Sequence, residues 1–84
     1  MKEFIWSEEK NERLQKTRGV SFEQLAGSRF IGIEEHHTRP HQRLMLFEFR
    51  DYVWVVPYVE SGEHYFLKTA FPSRKHTKKY LKGD

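Results

Sequence analysis

The sequence contains no cysteine and few residues that interrupt regular structure, with three prolines and five glycines among 84 residues. Without cysteine, neither a disulfide framework nor a thiolate zinc site can form. No apolar run approaches the roughly 20 residues of a membrane-spanning helix, and the first residues lack the apolar core of a secretory signal. We therefore expect a soluble, cytoplasmic chain whose residues 1–84 form one domain, because this length leaves no room for a second core.

The charge is distributed unevenly along the chain. Residues 74–82 contain five of the 15 lysines and arginines and no acidic residue. Although the formal net charge is +3, the remaining ten basic and twelve acidic residues give the rest of the chain a net charge of −2. Positive charge concentrated at one end of a small domain indicates a polyanionic partner, and RNA is the partner we expect.

Capping signals predict two helices in the first third of the chain. Residues 8–18 are good helix formers, with Ser7 as the N-cap before them and Gly19 as the residue that ends the helix. A second helix begins at Ser21, where a capping box is combined with a hydrophobic staple. Gly27 ends this helix after at most about two turns.

The basic segment is predicted to form a third helix, because Pro72 and Ser73 end the sheet and cap the residues that follow. Thr77, Tyr80 and Leu81 share the face that packs inward, so the lysines remain outside. Such a helix can guide RNA or bind an acidic protein, and it can also be an ordinary solvated face.

Alternation of apolar and polar residues predicts a four-stranded, mainly antiparallel sheet between these helices. Ile31 and Ile33 are expected on one face of the first strand. The third strand is apolar on both faces and is therefore central, and residues 60–63 form the hairpin turn after it. The chain is thus expected to be an α+β fold of helices on a sheet. The four strands are predicted at residues 30–36, 43–50, 52–59 and 64–71.

Two segments near the start of the chain resemble the opening of BrnT-type toxins. They are residues 4–11 (FIWSEEKN) and residues 16–23 (KTRGVSFE). The order of later features is also similar, with a loop of sequence HTRPH at residues 37–41, a turn at residues 60–63 and a basic segment ending in Tyr80. The resemblance implies a RelE/ParE-like fold and the toxin half of a type II toxin–antitoxin pair. It further implies an endoribonuclease that inhibits translation and a cognate antitoxin, usually of the ribbon-helix-helix type.

The chain departs from that pattern at the last strand. BrnT-type sequences tend to have arginines within and just after this strand, where the present chain has Phe66 and Phe71, and basic residues return at Arg74 and Lys75. Two alternatives therefore stay open beside the ribonuclease. One is a non-catalytic module that binds nucleic acid through the basic helix, and the other is a degenerate toxin that retains only antitoxin binding.

RNA cleavage without a metal needs a base near the 2′-hydroxyl, an acid for the leaving oxygen, and cations around the phosphate. His64, Glu48 and Tyr80 are the acid–base candidates, and Arg74, at the start of the basic helix beside the last strand, is the expected catalytic cation. The alternatives are that His64 is an exposed strand residue and that Tyr80 packs in the core. Glu48 can equally form an ion pair with Arg50. The residues expected to bind RNA are Arg50, Lys68, Lys75, Lys78, Lys79 and Lys82.

Two further patterns have both a functional and a structural interpretation. The acidic and histidine residues at 34–37, with His41, invite a metal site, but adjacent strand residues point to opposite faces, so we expect neither a metal nor another cofactor.

Aromatic residues on equivalent strand faces can stack bases or form the core, and the core interpretation is favoured for so small a domain. These aromatic residues are Tyr52, Trp54, Tyr58 and Phe66.

Overall fold

The computed structural model describes residues 3–82, which form three helices and six strands. The helices are α1 Glu8–Arg18, α2 Phe22–Ala26 and α3 Arg74–Leu81. The strands are β1 Glu3–Trp6, β2 Arg29–Glu35, β3 Arg43–Phe49, β4 Tyr52–Ser61, β5 His64–Leu67 and β6 Phe71–Pro72. The α+β class agrees with the prediction, but the sheet has six strands rather than four. Within the described range, no helix is long and apolar enough to cross a membrane.

Each helix begins at a serine that the sequence identifies as its cap. The side chain of Ser7 accepts the backbone N–H of Lys10, and that of Ser73 caps α3 in the same way. Ser21 forms the full capping box at the start of α2. Gly19 ends α1 in the left-handed conformation, with φ of 73°, which favours glycine because it has no Cβ.

The strand order in the sheet is β1-β5-β4-β3-β2, with β6 also paired to β4. β1 runs parallel to β5, and the other pairs are antiparallel. A strand at β1 was not predicted, because four residues give too short a pattern to separate from a loop.

The single strand predicted over residues 64–71 is divided into β5 and β6, which lie along the same side of β4. The break follows from Pro57, whose carbonyl points to this side and accepts the N–H of Lys68 at 2.8 Å. In an antiparallel strand the N–H and C=O of one residue point the same way, and proline has no N–H to donate. The ladder therefore loses a bond at Pro57, and residues 68–70 leave the strand.

The two faces of the sheet have cores of different size. The larger one, here called the large core, lies under α1 and α2, and the small core lies under α3. β4 contributes buried residues to both, which confirms its predicted central position. The large core includes Leu14, Phe22, Leu25, Met45, Phe47, Trp54, Val56 and Tyr58. The small core consists of Leu44, Leu46, Val53 and Val55, with Ile31 and Leu81 packed against it.

A bulge in β2 decides which side chains face α3. The pairing with β3 shifts between Phe30 and Gly32, which leaves Ile31 as an extra residue. Ile31 packs against the small core, whereas Ile33 lies opposite a residue of the large core, so the prediction that the two share a face is wrong. Bulges redirect the side chains that follow them. Here the shift turns Glu34 towards α3.

The aromatic residues do not form one platform for stacking bases. Tyr58 lies opposite Leu67 in the β4–β5 pair, so Phe66 is on the other face of the sheet. Trp54 and Tyr58 are buried in the large core, and Tyr52 packs against it. The core interpretation is therefore confirmed for Trp54 and Tyr58.

Candidate active site

A cleft of about 420 Å³ lies between α3 and the end of β2, and we call it the α3 cleft. Its floor is the apolar surface of the sheet, and its walls bring imidazoles, a carboxylate and ammonium groups together. The floor is formed by Leu44, Val55, Pro57 and Phe71. The walls are formed by Glu34, His36, His37, Lys75, His76 and Lys79.

Glu34 is the centre of a hydrogen-bonded network that joins β2 to α3. Its Oε1 lies 2.9 Å from Nε2 of His76, and its Oε2 accepts the hydroxyl of Tyr80 at 2.7 Å. The ammonium group of Lys79 lies 3.8 Å from the same Oε2. His76 and Tyr80 are one helical turn apart, and their rings stack with an interplanar angle of 9°. Both carboxylate oxygens of Glu34 are therefore already engaged.

Both ring nitrogens of His76 are engaged as well. A carboxylate only accepts hydrogen bonds, so the proton of the neutral ring lies on Nε2, facing Glu34. Nδ1 is 2.6 Å from the hydroxyl of Ser73 and accepts its proton. Ser73 in turn accepts the backbone N–H of His76 at 3.1 Å, as the cap of α3. The chain from Ser73 through His76 to Glu34 thus holds α3 in a fixed position on the sheet.

The network shifts the pKa values of Glu34 and Tyr80 in opposite directions. Burial alone would raise the pKa of Glu34, but hydrogen bonds from Tyr80 and His76 and the charges of His76 and Lys79 outweigh it, so this pKa lies below its ordinary value. The hydrogen bond to Glu34 raises the pKa of Tyr80, because it stabilises the protonated phenol, and burial acts in the same direction. At neutral pH, Glu34 is therefore ionised and Tyr80 is a donor.

His36 and His37 lie at the cleft with ring nitrogens that remain available. β2 ends at Glu35 and the chain bends, so both imidazoles line the cleft instead of pointing to opposite faces as expected. Nδ1 of His36 accepts the N–H of Thr38 at 3.2 Å, which places the proton of its neutral ring on Nε2. The side chain of His37 bonds no described residue. In residues 3–82, no three acidic or histidine side chains are arranged to hold a metal ion.

Cations along α3 give the cleft a positive rim. Lys75 and Lys79 line it, and Arg74 and Lys78 extend the same surface along the outer side of the helix. Arg74 is exposed and forms no ion pair with a described residue. Guanidinium and ammonium groups placed in this way suit a phosphate. Lys82, also predicted to bind RNA, is exposed at the C-cap of α3.

The structure places Tyr80 on the surface, with 37% of its area exposed, and not in the core as one interpretation had it. Glu48 forms an ion pair of 2.7 Å with Arg29, which lies directly opposite on β2. An ion pair of Glu48 was one of the expected alternatives, but its partner is not Arg50. Arg50 lies in the tight turn between β3 and β4, with its guanidinium 4.7 Å from the centre of the Phe49 ring.

Neither His64 nor Lys68 lines the α3 cleft. His64 opens β5 opposite Ser61, which lies four residue steps, roughly 13 Å, along β4 from Pro57 at the cleft floor. Nε2 of His64 is 3.8 Å from a carboxylate oxygen of Glu3. Lys68 follows the end of β5 and places its ammonium group 5.3 Å from the centre of the Phe66 ring. The structure therefore does not bring His64 to the α3 cleft, whereas Lys68 adjoins the floor residue Pro57 through its backbone N–H without lining the cleft.

Sequence reasoning did not identify His76 as a site residue, and it considered Glu34, His36 and His37 only as ligands of a metal site. A signal for His76 was present, because a histidine three residues after the cap Ser73 and four before Tyr80 lies on the helix face that they share. Glu34 had no such signal, since the bulge that turns it towards α3 leaves no clear trace in the alternation.

The structure was compared with solved structures, and it matches the crystal structure of the Brucella abortus ribonuclease toxin BrnT. The TM-score is 0.58 at 15% sequence identity, and the match covers 87% of this chain and 97% of that one. The chain has a BrnT-like fold. The likeness to BrnT expected from residues 4–11 and 16–23 is thereby confirmed at the level of the fold. No protein-family model matches the sequence, and a search of curated proteins finds no match.

Proposed function

We propose that this chain is a ribonuclease toxin that inhibits translation by cleaving RNA in the α3 cleft. The main support is the grouping, in a BrnT-like fold, of imidazoles with available nitrogens beside lysines on one cleft wall. Such a site supplies an acid, a base and phosphate-binding cations from side chains alone, so we propose cleavage that needs no metal.

The hydrogen bonds of the cleft suggest separate roles for its histidines. His37, whose ring is unbonded, would accept the proton of the 2′-hydroxyl as it attacks the phosphorus. His36 would act as the general acid in its imidazolium form, with Nδ1 released from the Thr38 N–H. It would donate its Nε2 proton to the leaving 5′-oxygen and become the neutral ring. Lys75 and Arg74 would bind the phosphate oxygens as negative charge develops. This assignment replaces His64 and Glu48, which lie outside the cleft.

Glu34, His76 and Tyr80 would act by positioning other groups. Their atoms are bonded to one another, so none is free to exchange a proton with RNA without breaking the network. Glu34 holds Lys79 at the rim, and Ser73 and His76 hold the start of α3, where Arg74 and Lys75 are found.

The proposed partners are RNA and a cognate antitoxin of the ribbon-helix-helix type, encountered in the cytoplasm. The exposed lysines of α3 suit an acidic antitoxin as well as RNA, and an antitoxin seated there would cover the α3 cleft. Type II toxin–antitoxin membership is thus part of the proposal, and relief of growth arrest by a neighbouring gene product would test it.

Purified protein should cleave single-stranded RNA in the presence of EDTA. The variant His37→Ala should lose activity by about 100-fold or more, the usual contribution of a general base. His41→Ala is the matched control, because His41 lies in the same loop and does not line the cleft. Full activity of His37→Ala would refute its role, and His64→Ala distinguishes the assignments, since the proposal requires it to remain active.

A non-catalytic nucleic-acid module is the second candidate, and the unpaired surface of Arg74 and Lys78 favours it. This surface can bind phosphates without any help from the histidines. The module would bind RNA with an affinity that falls steeply with salt while leaving the RNA intact. A protein that neither cleaves nor binds RNA, yet forms a tight complex with an antitoxin, would be a degenerate toxin.

A further inference from the structure

A second cleft, of about 270 Å³, lies on the opposite face of the sheet between α1 and the break that separates β5 from β6. We call it the α1 cleft. Its floor is apolar, and its rim has three cations and two hydroxyl groups but no acidic side chain. The rim residues are Lys10, Arg13, Thr17, Arg18 and Thr69.

The absence of acids at this rim follows from how charges are arranged around α1. At 100° per residue, the acidic positions 8, 9 and 12 fall within one third of the helix circumference. Positions 10, 13 and 18, which are basic, fall on the other side, towards the cleft. Lys16 is the exception, because it lies among the acids. The helix is therefore nearly neutral as a whole but positive where it lines the cleft.

Hydrogen bonds fix part of this rim in place. The ammonium group of Lys10 donates to the carbonyl of Lys68 at 3.1 Å, which anchors it beside the strand break. Arg13 has one exposed partner, Glu9, at 3.8 Å, a distance at which an ion pair contributes little. Neither the guanidinium of Arg18 nor the hydroxyl of Thr69 bonds a described residue. Two guanidinium forks and a hydroxyl are thus available to one ligand.

The α1 cleft and the α3 cleft are lined by neighbouring residues of the chain. Thr69 and Ala70 line the α1 cleft, whereas Phe71 and Lys75 line the α3 cleft. β6 lies between them and pairs, among described strands, with β4 alone. A flexible strand of RNA can therefore pass around β6 from one cleft to the other.

We propose that the α1 cleft binds a backbone phosphate of the same RNA strand that enters the α3 cleft. The choice of RNA as the ligand rests on the proposed function. A backbone phosphate fits the site because arginine forks bind its two non-bridging oxygens and the hydroxyl of Thr69 can donate to one of them as well. The small volume suits one phosphate and its sugar better than a length of acidic peptide.

The test uses a single-stranded oligodeoxynucleotide, which lacks the 2′-hydroxyl and so cannot be cleaved by the proposed chemistry. Titration of the wild-type protein, followed by NMR, should shift the amide signal of Thr69 together with signals at the α3 cleft. In Arg18→Ala, the slope of log affinity against log salt should fall by about 0.7, the value for one phosphate contact on a single strand. Lys16→Ala, on the other face of α1, should leave the slope unchanged.

Equal slopes for Arg18→Ala and Lys16→Ala, or shifts restricted to the α3 cleft, would overturn the inference. So would a Thr69 shift produced by polyglutamate and not by the oligonucleotide, since the site would then bind acidic protein. Failure of the proposed function has a different signature. In that case RNA stays intact, while the oligonucleotide still shifts Thr69 and the Arg18→Ala slope still falls.

Discussion

The two faces of the sheet pack against their helices in different ways, one mainly through apolar contacts and the other partly through hydrogen bonds. Under α1 and α2 lies the large core, where Leu25 and Phe22 are almost completely buried and the ring of Phe22 stacks on Trp6 at 5.7 Å. Under α3 lies the small core of four buried aliphatic residues, and polar bonds complete the attachment of the helix. These bonds come from Glu34 to two α3 residues and from Thr77 to β4.

This difference separates the apolar packing that stabilises the fold from the polar bonds that position α3. Apolar burial is not directional, so the large core stabilises the fold without fixing any one side chain for chemistry. Hydrogen bonds are directional, and those under α3 set the position of the helix that presents Arg74 and Lys75. A domain of this size has limited apolar area, and here most of it lies on the face away from the α3 cleft.

The largest expected effect is the difference between two identical substitutions, one on each face. Leu25→Ala removes a fully buried side chain from the large core and should lower the free energy of unfolding by about 2–5 kcal/mol. Leu81→Ala removes a partly buried side chain from under α3 and should cost roughly 1 kcal/mol. Denaturant unfolding measures both. Equal losses would mean that the small core is as important for stability as the large one.

Thr77→Val should show that polar bonds hold α3. The Thr77 hydroxyl accepts the N–H of Val53 at 2.8 Å and donates to the carbonyl of Ser73 at 2.7 Å, while Thr77 itself is buried. Valine has nearly the same shape, so the change leaves a buried N–H unpaired and should cost about 1–3 kcal/mol. Thr17→Val is the control, because its hydroxyl bonds the carbonyl of Arg13 on the exposed side of α1.

The control substitution should change the unfolding free energy by less than about 0.5 kcal/mol, as is usual for exposed positions. A loss at position 77 no larger than at position 17 would contradict the comparison of the two faces. In that case the packing of Leu81, and not the hydrogen bonds of Thr77, would hold α3 on the sheet.

The helices were the part of the fold that sequence predicted best. Their signals are local, since Ser7 and Ser21 each bond a backbone N–H three residues away and Gly19 needs no distant partner to end α1. The predicted central strand β4 was also correct, because a run that is apolar on both faces has few alternatives.

The candidate site could be predicted only in part, because it depends on distant contacts. Lys75 and Lys79 were expected from the charge pattern alone. Glu34 lies 42 residues before its partner His76, and a one-residue bulge decides whether the two meet. The break between β5 and β6 arises similarly from Pro57 on the neighbouring strand. Neither effect is visible within a short window of sequence.

Glu34→Gln should reveal a pH dependence that belongs to the α3 face. The pKa of Glu34 is lowered in the folded protein, so ionised Glu34 stabilises the fold above its ordinary pKa of 4.5, and this contribution is lost as the pH falls below that value. At pH 7 the variant should be less stable by about 1 kcal/mol, because charge-assisted hydrogen bonds become neutral ones. The difference should shrink in acid, where protonated glutamate resembles glutamine.

Glu35→Gln is the matched control, since the neighbouring carboxylate is exposed and bonds no described residue. Unfolding free energies of the three proteins, measured from pH 7 down to about pH 3, should give parallel curves for the wild type and Glu35→Gln, with the Glu34→Gln curve flatter. A wild-type curve parallel to that of Glu34→Gln would show that the ionised carboxylate does not stabilise α3. The charge of Glu34 would then no longer distinguish the α3 face from the apolar face of the sheet. The hydrogen bonds of Thr77 would be the remaining evidence that polar bonds hold α3.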